Sequence, residues 1–298
     1  MKDTVKNFPA TEVKLRTLVD KLTLSYAYGE VPTAQEDYSR LQLFKYSVLE
    51  GEFGPGGKVW KAKNGPFTTI SQPLPSGSGF VIRYGYSVHQ HRAWITLNPS
   101  KLTAEDIDAF QMYLLLLFTD GSSSIWEHSK VQRIDFAVDV EGACFDDHAF
   151  IDRRLRRGSA VYQSQGTSYL GARYGARVLA CYDKSREVLA KTGQHIEPML
   201  RLEARLEPNL RLKEFEQCAN PFCSLAVIDR SQLLNAHASG SAFAKLVLAG
   251  MPADSAYWSC HPKARPQLWQ QILQMQPHWW KPDEIWEQAV LDNSISIF

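Results

Sequence analysis

The chain has 298 residues, of which 44% are hydrophobic and 22% charged, with 33 Lys and Arg against 32 Asp and Glu. This length suits one large domain or two small ones, and the ordinary composition excludes a chain that is disordered, collagen-like or coiled-coil throughout. The net charge of +1 also excludes a uniformly basic coat or chromatin-like protein.

The charge is unevenly distributed along the chain. Residues 151–213 contain 13 Lys and Arg against 6 Asp and Glu, so this stretch carries +7 and the remainder of the chain −6. A basic stretch of this size predicts contacts with an anionic partner such as nucleic acid.

The cysteines and the apolar runs bear on the compartment. The five cysteines form no CxxC pair and no regular framework, which is typical of a reducing compartment and argues against structural zinc. The N-terminus is polar, so no secretory signal is expected. The longest apolar run, residues 113–118, is far shorter than the roughly 20 residues that cross a bilayer. We expect a soluble, intracellular protein without a membrane partner.

Strand and helix patterns alternate with turn-rich stretches in the first half. Stretches rich in Gly, Pro and Ser at 51–57, 73–79 and 120–124 predict loops. Residues 79–97 are rich in β-branched and aromatic side chains and predict two strands. A helix is expected to follow, with Thr103 as its N-cap.

The strongest strand pattern lies at 132–140, where polar and apolar residues alternate strictly. One face carries Arg133, Asp135, Ala137 and Asp139. Residues 177–184 and 200–207 predict two further strands. Between the first and second of these three strands, residues 145–157 predict a helix with a basic end.

Beyond residue 209 the strand pattern disappears, and residues 268–274 and 284–291 predict short helices. The fold class is therefore α+β: an antiparallel-sheet domain over residues 1–210, then a smaller helical segment over 211–298. DNA recognition and oligomerisation are the two candidate roles of this segment.

Common nucleotide-binding motifs are absent. The glycine-rich stretch 51–58 does not have P-loop spacing, because Glu52 stands where the first glycine belongs and Val59 replaces the magnesium-binding Ser or Thr. Residues 171–175 do not form a dinucleotide-binding fingerprint either. ATP-driven and Rossmann-type chemistry are therefore excluded.

Acidic residues on two of the predicted strands are candidate metal ligands. At a rise of about 3.3 Å per residue, the Cα atoms of Asp135 and Asp139 lie roughly 13 Å apart, so direct binding of one ion by both is not expected. Asp135 could share Mg²⁺ or Mn²⁺ with Glu203 from a neighbouring strand, and such an ion can polarise a phosphodiester. The alternative is that these carboxylates pair with Arg133, Arg201 and Arg205 on a solvated sheet face.

Tyr182 is a candidate nucleophile on the strand 177–184, where it shares a face with Ala180 and Lys184. A tyrosine can attack phosphorus when a cation or metal stabilises its developing charge. The alternative is a packed aromatic ring with a satisfied hydroxyl.

Several short motifs, in order along the chain, resemble the Rep-trans family of replication initiators. These proteins start rolling-circle replication of small plasmids and some filamentous phages, and MobT-type relaxases are related to them. The stretches V-D-K-L-T-L-S (19–25) and I-T-L-N-P-S-K-L-T (95–103) are similar to strands of that family. Its acidic, tyrosine and Arg-x-Glu motifs are matched by R-I-D-F-A-V-D (133–139), S-Y-L-G-A-R (168–173), C-Y-D-K (181–184) and L-R-L-E (200–203).

The resemblance covers roughly residues 19–210 and implies a metal-dependent nicking and closing enzyme with an HUH-like antiparallel sheet that has helices on one face. It implies that Tyr182 attacks the DNA backbone, forms a 5′-phosphotyrosyl link and releases a 3′-hydroxyl. Tyr169 is the alternative nucleophile. The resemblance also implies Asp135, Glu203 and Asp139 as ligands of Mg²⁺ or Mn²⁺, and Lys184 and Arg201 as groups that hold phosphate.

The expected partners follow from this chemistry. Origin DNA, single-stranded or melted, would be bound in the bacterial cytoplasm, with a host helicase and polymerase following, and a homodimer is one candidate assembly. Phosphate contacts are expected from the basic stretch, with Tyr162, Tyr169 and Tyr174 stacking on bases. The DNA-binding candidates are Arg153, Arg154, Arg156, Arg157, Arg173 and Arg177. A solvated helix end is the alternative for the first four.

Two histidines remain open. His89 and His91 lie on one strand face with Gln90 between them, which is similar to the metal motif of other nicking enzymes except that Gln is not apolar. The alternative is a polar edge strand. Two further functions also stay open: a conjugative relaxase with the same chemistry, and a non-catalytic DNA-binding regulator.

Overall fold

A large antiparallel sheet is the framework of the chain. The computed structural model describes residues 13–28, 31–61, 66–87, 90–155, 161–164, 166–172, 175–238 and 241–292. Within these residues the strands are β1 Lys14–Tyr26, β2 Lys58–Lys61, β3 Phe67–Pro73, β4 Gly79–Ser87, β5 Gln90–Leu97, β6 Ser129–Glu141, β7 His148–Asp152, β8 Val161–Ser164, β9 Thr167–Leu170, β10 Arg177–Asp183, β11 Met199–Leu206, β12 Leu210–Arg211 and β13 Leu225–Asp229. The helices are α1 Ala34–Glu50, α2 Ala104–Leu117, α3 Gly121–His128, α4 Lys184–Thr192, α5 Arg230–Ala238, α6 Ala242–Leu248, α7 Ala253–Ser259, α8 Arg265–Gln274 and α9 Pro282–Asp292.

The strand order of the large sheet is β2-β3-β4-β5-β1-β6-β11-β10-β9-β8, with β12 paired to β6, and β7 and β13 form a second sheet. The hairpin β4–β5 and the pair β9–β10 are antiparallel. In the latter pair Tyr182 lies opposite Thr167, and Ala180 opposite Tyr169. The α+β class with an antiparallel sheet is therefore confirmed.

The chain divides into two compact units. The N-terminal unit contains Leu18–Phe136 and Arg205–Ala219, and the C-terminal unit contains Ala137–Ala204 and Asn220–Gln288. Strands β6 and β11 contribute residues to both units. The predicted division at residue 210 stays a prediction about function, because no observation assigns a separate role to residues 211–298.

Helices α1 and α2 supply much of the core of the N-terminal unit. Their inner faces bury six apolar side chains: Leu41, Phe44, Val48, Phe110, Leu114 and Leu117. Helix α2 begins with the predicted cap, since Thr103 Oγ1 accepts a hydrogen bond from the Asp106 amide and the Asp106 carboxylate accepts one from the Thr103 amide. Gly51 ends α1 in the left-handed conformation (φ 77°), as its place in a predicted loop suggests.

The core of the C-terminal unit lies between β7, β13 and the helices α5 to α8. Ile151, Ile228, Phe243 and Trp269 are among its buried members. The helix predicted at 145–157 is wrong: a 3₁₀ turn at Phe145–Asp147 is followed by strand β7. All five residues of β7 are buried, and a strand buried on both faces shows no alternation.

Most other elements agree with the sequence patterns. Strands β4, β5, β6, β10 and β11 lie where strands are predicted, and α8 and α9 cover the predicted short helices. The loop predicted at 120–124 is wrong in part, because residues 121–124 form the first turn of α3. In the described part of the chain, no helix is long and apolar enough to span a membrane.

Candidate active site

Tyr182 lies at the end of strand β10, next to the start of helix α4. Asp183 caps this helix, because its side chain accepts a hydrogen bond from the Arg186 amide at 2.9 Å. The cap fixes the strand-to-helix corner and therefore the direction in which the half-buried Tyr182 ring leaves the strand.

The Tyr182 hydroxyl donates a hydrogen bond to Glu203 Oε2 on β11 at 3.2 Å. Burial raises the pKa of the Tyr182 phenol well above its ordinary value, and the negative charge of Glu203 raises it further. Arg201 acts in the opposite direction through its charge and a hydrogen bond to the phenol. The phenol is therefore protonated at rest, with a proton acceptor and a cation beside its oxygen.

Arg201 is fixed by Asp139. Its Nε donates to Asp139 Oδ1 at 2.5 Å and a terminal nitrogen donates to Oδ2 at 2.7 Å. The two side chains are 7% and 8% exposed, so this bidentate pair is buried. Because burial removes the freedom of both groups, Asp139 determines where the Arg201 guanidinium lies relative to Tyr182.

Lys184 is the second cation near the tyrosine. Its ammonium lies 6.0 Å from the centroid of the Tyr182 ring and 2.6 Å from Glu187 Oε2, one turn along α4. Glu187 also accepts from Lys191. The i, i+3 spacing of Lys184 and Glu187 is a sequence signal for this pair, although it does not reveal that the pair lies beside Tyr182.

Asp135 lies in the N-terminal unit, in a different setting from the other predicted ligands. It is 5% exposed and accepts a bidentate pair of hydrogen bonds from Arg133 at 2.8 and 2.6 Å. Arg205 Nε lies 3.9 Å from the same carboxylate. The sequence alternative that these carboxylates pair with arginines is thus confirmed for Asp135 and Asp139, but the expectation of a solvated face is wrong because both are buried.

The donors do not form a metal site as they are arranged. In the described ranges no three side chains from His, Cys, Asp and Glu are close enough together to hold an ion. Both oxygens of Asp135 and both of Asp139 face guanidinium groups, which compete with a cation for the same lone pairs. These residues therefore do not fit Mg²⁺ or Mn²⁺ in this arrangement, and the ligand roles stay predictions.

The predicted DNA-binding arginines have different surroundings. Arg153 and Arg154 are exposed, the first with its guanidinium carbon 5.3 Å from the Trp269 ring centroid and the second 3.1 Å from Cys223 Sγ. Arg156, Arg157, Arg173 and the aromatic side chains of Tyr162 and Tyr174 lie outside the described part. A role of Arg153 and Arg154 in DNA binding stays a prediction.

Arg177 is tied to the protein itself. It forms an ion pair with the fully buried Asp152, and a terminal nitrogen donates to the Pro221 carbonyl at 2.6 Å and to Ser224 Oγ at 3.0 Å. Contact with a DNA phosphate would require Arg177 to leave these partners. An aspartate in the apolar run of β7 is the sequence signal for the Arg177–Asp152 ion pair. This signal can be used only after the run has been identified as a strand.

Two of the remaining candidates lie on other strands of the large sheet. Tyr169 lies half-buried on β9, opposite Ala180. His91 lies in the N-terminal unit with its ring 5.8 Å from that of Tyr28, and His89 is outside the described residues. The alternatives for Tyr169 and for the two histidines therefore stay open.

Comparisons with known proteins show a likeness at the level of structure. No family model matches the chain, and no curated protein matches it. The chain is similar to a solved structure described as a rolling circle replication initiator protein from Geobacillus stearothermophilus, with a TM-score of 0.39 and 15% identity over 68% of this chain and 78% of that chain. A likeness at this level carries no functional argument, so the function is argued below from the side chains.

Proposed function

We propose that the chain is a rolling-circle DNA replication initiator that cuts and rejoins one DNA strand through Tyr182. The observation that carries the proposal is the contact of one tyrosine hydroxyl with both Glu203 and Arg201, on strands that match the motif order of such initiators. A buried tyrosine that only packs needs one partner for its hydroxyl, whereas a nucleophile needs a group that takes its proton and a cation that stabilises its charge.

The proposed cleavage step moves the phenol proton to Glu203. Tyr182 Oη attacks the phosphorus of a phosphodiester, the Oη–P bond forms as the P–O3′ bond breaks, and the 3′ oxygen leaves as a hydroxyl after taking a proton from water. The products are a 5′-phosphotyrosyl link and a free 3′ end. Because the phenol pKa is raised, the proton transfer must accompany the attack rather than precede it.

Rejoining is the reverse reaction. A 3′-hydroxyl gives its proton to solvent as its oxygen attacks the phosphotyrosyl phosphorus. The P–Oη bond breaks as the P–O3′ bond forms, and Glu203 returns the proton to Tyr182. The tyrosyl ester keeps the energy of the broken phosphodiester, so this closure needs no ATP, in agreement with the absence of a P-loop in the sequence.

In this scheme Arg201 and Lys184 offset the negative charge that develops at phosphorus. A guanidinium held by a buried carboxylate is fixed before the substrate arrives, so little reorganisation accompanies the reaction. Mg²⁺ or Mn²⁺ dependence is part of the proposal through the motif resemblance only. No step is assigned to an ion, since the Asp135 and Asp139 carboxylates face arginines and Glu203 accepts the hydrogen bond of the Tyr182 hydroxyl.

The test uses supercoiled DNA that carries the region around the chain's own gene, with Mn²⁺, Mg²⁺ or EDTA. We expect nicked circles carrying a protease-sensitive 5′ adduct, and mass spectrometry of the digested adduct should locate the DNA on Tyr182. The matched control pair is Tyr182→Phe, which should lose the adduct and keep DNA binding, and Tyr169→Phe on the neighbouring strand, which should keep both.

Two results would contradict the proposal. An adduct that persists in Tyr182→Phe excludes this nucleophile, and its loss in Tyr169→Phe instead identifies the alternative one. Wild-type protein that binds the region but never nicks it, with any of the three additions, would favour the DNA-binding regulator.

A further inference from the structure

Helix α4 carries two lysines that share one carboxylate. Lys184, Glu187 and Lys191 are spaced by three and four residues, so they lie on one side of the helix. Glu187 accepts a hydrogen bond from Lys184 through Oε2 at 2.6 Å and another from Lys191 through Oε1. We name these three residues the α4 triad. Neither Glu187 nor Lys191 has a role in the cleavage scheme above.

The α4 triad lies beside the proposed nucleophile. The Lys184 ammonium is 6.0 Å from the centroid of the Tyr182 ring. Burial and the charge of Glu203 raise the pKa of the Tyr182 phenol, and the charge of Glu187 adds to the increase. An anion held by the α4 triad would therefore be a near neighbour of the phosphate that Tyr182 attacks. A DNA strand supplies such an anion, because it carries a phosphate at every nucleotide.

The Glu187 carboxylate resembles a bound phosphate in the way it meets the two lysines. It presents two oxygens, and each accepts from a different ammonium. A phosphodiester likewise presents two unesterified oxygens that share one negative charge, and an ammonium binds either anion as a point charge. Two ammoniums against one carboxylate leave the α4 triad with an excess of positive charge.

Exchange of this carboxylate for a phosphate requires little change in the fold. The Lys191 side chain is 68% exposed and that of Glu187 27%, and ion pairs that water reaches contribute little to stability. The cap of α4 is made by Asp183 and does not involve the α4 triad. The two lysines can therefore change partner while the helix stays in place.

We infer that Lys184 and Lys191 bind a backbone phosphate next to the scissile one, and that Glu187 holds both lysines until this phosphate displaces it. This role rests on the proposed function, which identifies DNA as the ligand. Glu187 then acts as a competitor within the protein, since its carboxylate and the phosphate bind the same two ammoniums. Such a competitor weakens the hold on the rejoined strand and favours its release.

The test is a double-mutant cycle on DNA affinity. Fluorescence anisotropy measures the Kd of a labelled single-stranded oligothymidylate in EDTA. Glu187→Gln should lower the Kd by about two- to fivefold. Lys191→Gln should raise the Kd, and by about twofold or more beyond its effect in wild type when Glu187→Gln is also present, because Glu187 no longer competes for that lysine.

The matched control is Glu197→Gln, at an exposed position of the same unit. It removes the same charge but does not free a lysine of the α4 triad. Its effect on the Kd should therefore add to that of Lys191→Gln, as expected for charges that act only at long range.

A second measurement uses wild-type protein without a variant. Lysines are acetylated with and without the oligothymidylate, and mass spectrometry measures the reaction at each position. Lys191 should react several-fold more slowly when DNA is bound. The control is Lys281 on α9, which is 58% exposed and pairs with Glu284 at 3.1 Å, and its reaction should not change.

Additive effects of Glu187→Gln and Lys191→Gln on the Kd would overturn the inference, and so would a reaction of Lys191 that DNA does not slow. Neither result bears on the Tyr182 adduct. A non-additive cycle with a protected Lys191 but no adduct would instead support the phosphate site and contradict the nicking step. Wild-type protein that does not bind the oligothymidylate would contradict both.

Discussion

Asp254, the second residue of helix α7, is a buried carboxyl whose ionisation should weaken the fold. It is 3% exposed, and among the described residues its Oδ1 has no hydrogen-bond partner. Burial raises its pKa from 3.8 to about 7, and the negative charge of Asp152 adds to the increase. The hydrogen bond from the Asp152 backbone amide acts in the opposite direction. We therefore choose Asp254→Asn, which removes the charge and keeps the shape.

The sign follows from proton binding. Between pH 3.8 and about 7 the folded state holds the Asp254 proton and the unfolded state has released it, so the free energy of unfolding falls as pH rises through this window. Below the window the group contributes no penalty, and above it the penalty is constant. At about 1.4 kcal/mol per pKa unit, a shift of about three units gives a full penalty of about 4 kcal/mol.

The assay is urea unfolding of wild type and Asp254→Asn at several pH values, followed by tryptophan fluorescence. Five of the eight tryptophans lie in the C-terminal unit with Asp254. The advantage of the variant should grow by about 2–3 kcal/mol between about pH 5 and pH 8. The control Asp108→Asn, at an exposed position of α2, should show no such growth. A stability difference that is independent of pH, or a variant less stable than wild type at pH 8, would refute the reasoning.

Three further predictions concern fixed polar contacts. Asp139→Asn should lower the free energy of unfolding by about 3–5 kcal/mol, because it removes the carboxylate charge that faces the buried Arg201 guanidinium, and adding Arg201→Gln should recover part of the loss in a double-mutant cycle. Arg177→Gln should lower the free energy of unfolding by a similar amount, because the buried Asp152 carboxylate loses its ion-pair partner. A variant that is as stable as wild type but binds DNA weakly would instead support a phosphate contact of Arg177. Thr103→Ala should cost about 1 kcal/mol in urea unfolding by removing the α2 cap, and an unchanged midpoint would contradict that cap.

Local patterns predict the elements that have one polar face or a clear cap. Thr103 at the start of α2 is predicted because the cap involves residues three apart in sequence. The β10 and β11 strands are predicted by alternation. By contrast β7 and β13 are short apolar runs, and their strand pairing depends on residues about 75 positions apart. Such a run is consistent with a buried helix or a buried strand, so the sequence leaves the choice open.

The candidate site shows the same division. The resemblance brings Tyr182 and Glu203 into one motif set, and the structure joins them by a hydrogen bond. The bidentate ion pair of Asp139 with Arg201 forms because β6 lies next to β11 in the sheet. A periodic pattern in the sequence does not specify which strands are neighbours. Without the pairing, an aspartate on β6 is equally a metal ligand or an arginine partner. Burial of both faces of β6 could not be predicted from the sequence either, because the alternation of Asp with Phe and Val suggests that one face is exposed to solvent.

The ion pairs change how the basic stretch can act on DNA. Some of the cations behind its +7 lie against carboxylates from outside the stretch, including Arg201 on Asp139 and Arg205 at 3.9 Å from Asp135. A close pair has little net field at a distance, so these arginines contribute little to the attraction of a polyanion, although Arg201 still acts on the Tyr182 oxygen beside it. Long-range attraction must then come from exposed cations without a carboxylate at contact distance.

Among the described candidates Arg153 and Arg154 have this character, because their described neighbours are a tryptophan ring and a cysteine sulfur. Binding strength and chemistry are therefore expected to depend on different arginines. Loss of Arg153 and Arg154 should reduce the salt dependence of DNA binding and leave cleavage of bound DNA unchanged, whereas loss of Arg201 should do the reverse.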